Sequence, residues 1–528
     1  MNSFFKVNGT FVNPDHLAGY LVSVISFAFG IYKFMPGKEG AGKLIKYLAL
    51  ITFLACIFIL PSLRIRSSWI AVLLGIGVIY LYQKDVRENL NKYFNSLIKK
   101  GAAILLLAVI TVSTILLLYK IKPASADGRL FIWKITSRMI KENPIWGIGF
   151  DRYGSEYGNY QADYFDDEGG SDYEKFISGN VKQAHNEYIQ IWAELGTIGL
   201  LIWLGIIVSA LWGYKKNDLP PPGILINSEN GRQVGSKQYG VVSASSKVNN
   251  SITNLPKNFT QEFLSDGIFY ALKISAKASL IALLAVGVFS FPLHILPTYI
   301  NFIFFLSILS ATVKPKIIFE RSLPNYTSLA ATQASRAATQ VKTASAFIVV
   351  IIVSFIIVEK YKLFNAYQVW KEGYELASYG QYNLSLKEFE KVYPTLRDDG
   401  EFLFNYGGVL MLNNDYKNAA VLLEESKKNY LDPKQYTNLG ACFEKMNEYK
   451  KAELNYKYAV NMEPNKIYTK YLLTKLYMKE KKYYEAKEEC KSILNTNAKV
   501  ETTAAQEIKD EIKNIIAELN NPALSGNN

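Results

Sequence analysis

The residues best suited to acid–base chemistry in this chain are few. Its 528 residues include only three histidines, His16, His185 and His294. An imidazole titrates near neutral pH, so each histidine is a candidate for orienting or deprotonating a substrate hydroxyl. The three cysteines of the chain are too few for a disulfide scaffold or a cysteine-rich metal domain. The candidate chemistry therefore depends on individual histidines and their neighbours.

Three arginines accompany these histidines in the most specific parts of the sequence. Arg64 and Arg66 lie in the segment LPSLRIRSS, and Arg129 opens a long segment that ends near His185. Guanidinium groups bind phosphate oxygens through paired, charge-assisted hydrogen bonds, so these arginines are candidates for holding a phosphorylated substrate. Each of them could instead be an interfacial arginine that extends its charge to water, and this alternative stays open.

Apolar segments supply the framework that must position these residues. The chain is 49% hydrophobic and 20% charged, and its apolar residues come in runs that are free of acidic residues. A helix needs roughly 20 residues to cross a bilayer. We expect about eight membrane-spanning helices, at residues 17–32, 47–63, 67–82, 101–119, 195–213, 268–293, 295–313 and 344–358.

Basic residues in the connections orient these helices. Lys and Arg dominate residues 33–46, 84–100 and 314–342 and the stretch that begins at Lys215, so these connections are expected in the cytoplasm. The N-terminus, the LPSLRIRSS turn, the loop 121–190 and the FPLHILP turn then face outward. This orientation places all six candidate residues on the outer side, where ionisable groups of a helical bundle often form a site. It also explains part of the net charge of +13 without nucleic acid.

The C-terminal part, residues 364–518, has the periodicity of tetratricopeptide repeats. Gly440, Phe443, Ala452, Tyr456 and Ala459 follow that pattern, and Thr474, Tyr477, Ala486, Cys490 and Ile493 repeat it 34 residues later. Such repeats stack helix pairs into a solenoid that binds peptides or proteins. The predicted fold is therefore all-α, with a polytopic transmembrane helical bundle followed by an α-solenoid. A flexible cytoplasmic insertion is expected at 217–266 and a linker at 314–343.

Residues 9–313 resemble the superfamily of O-antigen ligases and O-antigen polymerases. The resemblance lies in the blocks Gly9–His16, Gly128–Trp133, Asn143–Phe150, Gln183–Tyr188 and Glu194–Gly199. It implies a membrane enzyme that transfers a glycan from undecaprenyl diphosphate to an acceptor hydroxyl in the periplasm, by direct displacement with inversion at the anomeric carbon. The resemblance implies no metal and no cofactor, and the sequence contains no Asp-x-Asp motif of the kind that holds a metal in nucleotide-sugar transferases.

The same resemblance suggests a role for each candidate residue. It implies that His185 activates the acceptor, that Arg66 and Arg129 hold the diphosphate, and that His294 and His16 make further contacts with substrate. Relatives have a Ser-Arg pair where this chain reads Arg64-Ile-Arg66-Ser67, so Arg64 is an alternative to Arg66. Relatives also have more spans before the Asn13-Pro14 segment, from which we expect this chain to be a shortened or unusual member.

The sequence leaves the acceptor open. A lipid A core would make the protein a ligase, a growing glycan a polymerase, and a protein hydroxyl an O-oligosaccharyltransferase. Two alternatives of another class are a non-catalytic membrane anchor for the repeats and a lipid or polysaccharide transporter. The expected location is the bacterial inner membrane, with membrane lipids around the bundle and the repeat domain in the periplasm beside a protein partner.

Several polar residues have simpler interpretations. His185 could cap the helix that begins at Glu187. Lys273 and Lys277 are expected at the cytoplasmic end of their span with their charges extended to water. The acidic residues between Asp163 and Glu174 are expected in a solvated loop, which could close over the site as a lid. Cys442 and Cys490 are expected at packing positions of the repeats.

Overall fold

The computed structural model is all-α over the residues that it describes. These are residues 11, 13–37, 40–99, 123–212, 266–311, 328–496 and 502–520, with scattered positions between 101 and 120. They belong to two compact units. The first is drawn from Met1–Ile121, His185–Ile191 and Ile198–Lys316, and the second from Lys122–Ala184, Trp192–Thr197 and Ile317–Asn528.

The first unit is a bundle of apolar helices. Its helices are α1 (Pro14–Phe34), α2 (Gly40–Ile59), α3 (Arg66–Leu81), α4 (Lys84–Tyr93), α8 (Glu187–Trp212), α9 (Asp266–Gly287) and α10 (Leu296–Ala311). Part of α8, Trp192–Thr197, belongs to the second unit. Two short 3-10 turns, Leu60–Leu63 and Pro292–His294, connect α2 to α3 and α9 to α10.

Four helices of the described part are long and apolar enough to cross a membrane. They are Pro14–Phe34, Gly40–Leu63, Glu187–Trp212 and Gly267–Gly287. Helices α3 and α4 meet at 89° and add a fifth span if they are counted as one, while α10 is apolar but shorter. These segments confirm a polytopic helical bundle. Of the other predicted spans, 101–119 lies largely outside the described residues.

Small residues bring the two central helices, α1 and α9, into close contact. A methyl group added at Gly30 of α1 would lie 2.4 Å from Ser275 Oγ of α9, and one at Gly75 of α3 would lie 2.3 Å from Ser26 Oγ. Helix–helix packing in membranes depends on such small residues, because lipid gives little hydrophobic drive for association. Helix α1 begins at Pro14, and the Asn13 side chain accepts a hydrogen bond from the Asp15 N–H at 3.0 Å.

The second unit contains most of the predicted outer loop as three helices. These are α5 (Pro123–Glu142), α6 (Tyr153–Glu168) and α7 (Asp172–Ile177). Phe131, Ile135 and Met139 of α5 pack against Tyr153, Tyr157 and other aromatic residues of α6 in one apolar core. The acidic residues predicted in a solvated loop are mostly exposed, as predicted, but they lie mainly on α6 and α7 and not in an irregular loop. Arg138 of α5 pairs with two of them, Asp167 and Glu168, at 2.9 Å each.

The C-terminal helices form successive antiparallel pairs. They are α11 (Ser328–Ser378), α12 (Tyr382–Leu396), α13 (Gly400–Leu412), α14 (Tyr416–Ser426), α15 (Pro433–Lys445), α16 (Tyr449–Met462), α17 (Ile467–Lys479), α18 (Tyr483–Asn495) and α19 (Thr503–Leu519). A residue with left-handed backbone joins the two helices of each pair at a regular interval, at Gly380, Asn414, Asn447 and Lys481. This regularity confirms the predicted helix-pair repeats.

The predicted core positions of the repeats are buried. Ala452, Tyr456 and Ala459 of α16 are at most 1% exposed, and Cys490 of α18 is fully buried. Cys442 and Cys490 are free cysteines. Gly440 allows close approach of α16, because a methyl group there would lie 2.5 Å from the Tyr456 ring.

Of the two regions predicted as linkers, the structure describes a substantial part only of the second. The insertion 217–266 lies outside the described residues except for Asp266, and so do residues 314–327 of the linker. From Ser328 the backbone is helical, and one helix of 51 residues, α11, contains the rest of the linker and the predicted span 344–358. It continues into the first repeat.

Candidate active site

The start of α8 is tied to the end of α9 by Asn186. Its Oδ1 accepts the Ile189 N–H at 3.0 Å, which caps α8, and its Nδ2 donates to the Val288 carbonyl at 3.0 Å. The alternative in which His185 is the cap was therefore wrong. His185 instead occupies the left-handed backbone region, with φ of 52°. This conformation is unfavourable for a residue with a side chain and is often found at functional sites.

Two of the three histidines pack against one phenylalanine. The His185 ring meets Phe291 edge to face, with ring centroids 5.3 Å apart. The His16 ring contacts Phe291 in the same manner at 5.5 Å. Phe291 is 7% exposed and lies directly before the Pro292–His294 turn. The first residues of α1 and α8 are therefore gathered at this turn.

The third histidine, His294, is held by two residues of α8. Its Nδ1 lies 3.3 Å from Glu187 Oε1, and its Nε2 lies 3.0 Å from the Gln190 side-chain nitrogen. That amide nitrogen donates its hydrogen to Nε2, so the ring carries its own proton on Nδ1, facing the carboxylate. The other carboxylate oxygen, Glu187 Oε2, accepts the Leu293 N–H at 3.3 Å. Glu187 thus fixes both the ring and the backbone of the turn.

Glu187 and Gln190 are functional candidates that the sequence alone did not reveal. The Glu187 side chain is 4% exposed and Gln190 is 1% exposed. A buried carboxylate is costly unless it is paired, which marks Glu187 as a positioned group. Their spacing of three residues places both on one face of α8, but only the packing of a turn about 100 residues away brings His294 to that face.

Arg64 and Arg66 lie at the same end of the bundle as the histidines. Arg64 follows the Leu60–Leu63 turn with left-handed φ of 56°, and Arg66 is the first residue of α3. Leu60 and Leu63 pack in one core cluster with Ala18 near the start of α1 and Val286 near the end of α9. The first unit therefore assembles five of the six candidate residues at one end.

The sixth candidate, Arg129, belongs to the second unit. It is half-buried on α5, one turn before Trp133, whose indole N–H donates to the Ala184 carbonyl at 2.9 Å. Ala184 directly precedes His185 in the sequence. The block Gly128–Trp133 therefore fixes the position of the chain segment that leads to His185.

The block Asn143–Phe150 packs on a kink in α8. At Gly196 the backbone is non-helical, with φ of 65° and ψ of −172°, a conformation that is essentially restricted to glycine. The Ile148 and Gly149 N–H groups donate to the Ala193 and Glu194 carbonyls, both at 2.9 Å. The Thr197 N–H donates in return to the Pro144 carbonyl at 2.9 Å. These two sequence blocks are thus the two sides of one backbone interaction.

Lys273 and Lys277 do not extend to water as expected. They are 3% and 6% exposed, and Lys277 Nζ donates to the Leu211 carbonyl in the last turn of α8 at 2.7 Å. The prediction of solvated lysines was therefore wrong. An ammonium group at a helix C-terminus is favoured by the partial negative charge of the last carbonyl groups, which explains how the bundle accommodates Lys277.

Comparison with solved structures finds proteins that are each similar to a little over a quarter of this chain. MamA from Desulfovibrio magneticus RS-1 is 20% identical, with 28% of this chain and 76% of that chain covered and a TM-score of 0.23. The pilF protein of Pseudomonas aeruginosa is 18% identical, with 29% of this chain and 72% of that chain covered and a TM-score of 0.25. No curated protein matches the chain.

Residues 51–204 match the profile of the family described as O-Antigen ligase. The match begins in α2, includes Arg64, Arg66, Arg129 and His185, and ends in α8 after the Gly196 kink. It covers both blocks of the backbone interaction at that kink. The chain therefore combines a region similar to the O-antigen ligase family with several candidate membrane spans and with C-terminal helix-pair repeats.

Proposed function

We propose that this protein transfers a glycan from undecaprenyl diphosphate to an acceptor hydroxyl at the outer face of the bacterial inner membrane. The observation that carries the proposal is the gathering of His16, His185 and His294 around the Phe291–His294 turn, in a chain with an O-antigen ligase domain. In a chain with so few histidines, their convergence from three distant segments favours a site over isolated structural roles.

The proposed reaction is a single displacement at the anomeric carbon. The acceptor oxygen forms a bond to that carbon while the bond to the diphosphate oxygen breaks, which inverts the configuration. The hydroxyl proton passes to the imidazole of His185, and the diphosphate leaves with the bonding electron pair. Arg66 and Arg129, with Arg64 as the alternative to Arg66, neutralise the charge that develops on the leaving group. This scheme uses no metal and no cofactor.

The pair Glu187–His294 has a separate role in this proposal. The carboxylate orients the imidazole and fixes its tautomer, as carboxylates do for histidines in other active sites. His294 then shapes the substrate site from a fixed position, and His16 contacts substrate beside the Phe291 ring. His185 contacts the Phe291 ring at the same turn, which places the proposed acceptor-activating imidazole beside both of them.

The proposed orientation places loop 121–190 and the repeat domain in the periplasm. The basic connections 33–46 and 84–100 support the cytoplasmic assignment of the opposite end of the bundle. A lipid-linked donor would reach the site laterally from the membrane, and a periplasmic repeat domain would present the acceptor or a protein partner.

The test compares glycan in three fractions from a strain that lacks the gene and from the same strain with the gene restored. Lipid A core, free polysaccharide and protein are separated and their glycan is measured. We expect glycan to be lost from one fraction and restored with the gene, and that fraction identifies the acceptor. Unchanged glycan in all three fractions would contradict the proposal and favour a membrane anchor without transferase activity.

A further inference from the structure

The outer loop and the repeat domain are joined by a built interface within the second unit. Helix α6 of the loop packs against α16, and Ala162, Leu431 and Met462 form a buried apolar cluster with Tyr436 and Tyr458 at its edge. Ala162 and Met462 are each 1% exposed. The loop therefore has the repeat domain as a resident partner.

Side-chain amide N–H donors in the interface are buried and paired, which sets its geometry. Gln161 is fully buried and donates to the Met462 carbonyl. Asn465, which is 8% exposed, donates to the Ser178 and Phe176 carbonyls at 2.7 and 3.1 Å. Because an unpaired buried amide costs free energy, these residues favour one docked arrangement over looser ones.

Further contacts surround this buried centre. The Tyr436 and Tyr458 hydroxyls donate to Asn159 Oδ1 at 3.3 and 3.2 Å, and Asn461 donates to Asp166 at 3.1 Å. Lys182 near the end of the loop donates to the Leu431 carbonyl. The contacts therefore extend along the loop from α6 to the segment just before Ala184.

Helix α6 is packed on two sides, so the docking also fixes α5. Tyr153 and Tyr157 face the aromatic core shared with α5, whereas Gly158 and Ala162 face the repeats. A methyl group added at Gly158 would lie 2.6 Å from Met462 Cε and 2.8 Å from Leu431 Cδ2. The glycine allows this approach, although an alanine would favour the helix itself.

We propose that residues 158–182 are the resident ligand of repeat helices α15 and α16 and of the segments that flank them, and that this docking is a positioning device for transfer. The repeat domain holds α6, which holds α5 with Arg129, and Trp133 of α5 holds the Ala184 carbonyl before His185. The part of this inference that concerns transfer rests on the proposed function. The docking itself does not.

The docking is tested first by a cysteine pair in the full chain. Asp166→Cys with Asn461→Cys replaces two short side chains that are in contact, and a mild oxidant should join them within one chain. The control combines Asp166→Cys with Leu454→Cys, which lies two helical turns away on α16 and is 68% exposed. Efficient crosslinking of the first pair alone is expected, and equal or absent crosslinking of both pairs would overturn the docking.

The positioning role is tested by placing a larger side chain in the interface and then making room for it with a second substitution. Gly158→Leu, added to the chain with Asp166→Cys and Asn461→Cys, should abolish the crosslink. It should also lower the rate of glycan transfer on the order of tenfold or more, because small misplacements of reacting groups slow a reaction strongly. Met462→Ala added to Gly158→Leu makes room for the new side chain and should restore both in part. Leu454→Glu, an exposed change on the same helix, should alter neither.

Two outcomes separate the inference from the proposed function. Gly158→Leu that loses the crosslink but transfers glycan at the normal rate would overturn the positioning role while leaving the transferase intact. If the chain with Asp166→Cys and Asn461→Cys forms the crosslink but the wild-type gene has no effect on glycan in any fraction, the proposed function is overturned, and the positioning role with it, while the docking stands.

Discussion

At the scale of single residues, the site depends on how each histidine is held. His294 has a buried carboxylate on one ring nitrogen and an amide on the other, whereas His185 packs against Phe291. Because both ring nitrogens of His294 face protein groups, this ring serves to hold the turn in place. The proton transfer is assigned to His185 because it lies in the Gln183–Tyr188 block that resembles the family.

The Glu187–His294 pair should act as one unit. Glu187→Gln and His294→Gln should each lower transfer, and the double variant should lose less than the sum of the two effects, with a coupling on the order of 1 kcal/mol. Transfer rates of the four proteins give this coupling directly. The control cycle pairs Glu187→Gln with His16→Gln, whose ring packs on Phe291, and should be additive.

The histidines could be identified from the sequence because the chain has only three of them. All three also lie in segments that are predicted to face outward. Glu187 and Gln190 could not be identified in this way, because both lie in an ordinary helical sequence. They become site candidates only through their contacts with the turn at Pro292–His294. Lys277 was misjudged for a related reason. Its burial depends on the end of α8, which no local pattern encodes.

At the scale of secondary-structure elements, the kink in α8 joins two of the sequence blocks that carry the family resemblance. Gly147 and Gly196 are both in left-handed conformations at this contact. A methyl group at Gly196 would lie 2.1 Å from the Ile145 carbonyl oxygen. The glycine spacing was visible in the sequence, but the pairing of the two blocks required the folded backbone.

Gly196→Ala should destabilise this contact by about 1–3 kcal/mol, since it combines a steric clash with an unfavourable backbone conformation. The expected result is a lower midpoint of thermal unfolding and faster proteolysis of the segment 143–150. Gly205→Ala is the matched control on the same helix, because a methyl group there has nothing within 4 Å. Equal stability of the two variants would contradict the structural role of the kink.

The predicted outer loop also contains an element whose stability depends on pH. Helix α7 begins with a capping box between Ser171 and Glu174, and Lys134 donates to the same carboxylate at 2.8 Å. Although burial raises the pKa of Glu174, hydrogen bonds from Lys134, Ser171 and Tyr164 outweigh it and lower this pKa from 4.5 to about 2. The carboxylate therefore stabilises α7 fully above pH 4.5, and this stabilisation is lost as the pH falls toward 2.

Pepsin, which is active in acid, measures this dependence through cleavage within residues 171–178. Cleavage of the wild-type chain should accelerate only as the pH falls from 4.5 toward 2. Lys134→Met should shift the onset to higher pH, because the carboxylate loses a donor. Lys175→Met changes the charge of α7 without removing that donor and should behave like the wild type. An onset that Lys134→Met leaves unchanged would show that the ion pair does not stabilise α7.

At the scale of the whole molecule, the sequence divides into an apolar bundle and a polar repeat domain. Hydrophobic runs and the repeat period predicted both parts, because burial in lipid and helix-pair stacking each leave a periodic pattern. The number of spans was less accessible. The described part contains four spans or five, and the predicted span 344–358 lies within one long helix that runs into the repeats.

The orientation of the two parts can be tested by cysteine labelling in intact cells whose outer membrane has been made permeable. Tyr484→Cys on α18 is 73% exposed and should react with a reagent that cannot cross the inner membrane. Tyr93→Cys at the end of α4 is 67% exposed and should react only after the inner membrane is opened. Labelling of Tyr484→Cys only after opening would place the repeats in the cytoplasm and contradict the proposed topology.

The central claim is that this histidine-lined end of the bundle performs glycan transfer. The most direct measurement is glycan transfer in cells that lack the native gene and produce either the wild-type chain or His185→Ala at equal abundance. We expect His185→Ala to lower transfer on the order of 100-fold or more, as the loss of a general base does. Transfer that is unchanged in His185→Ala would contradict the account.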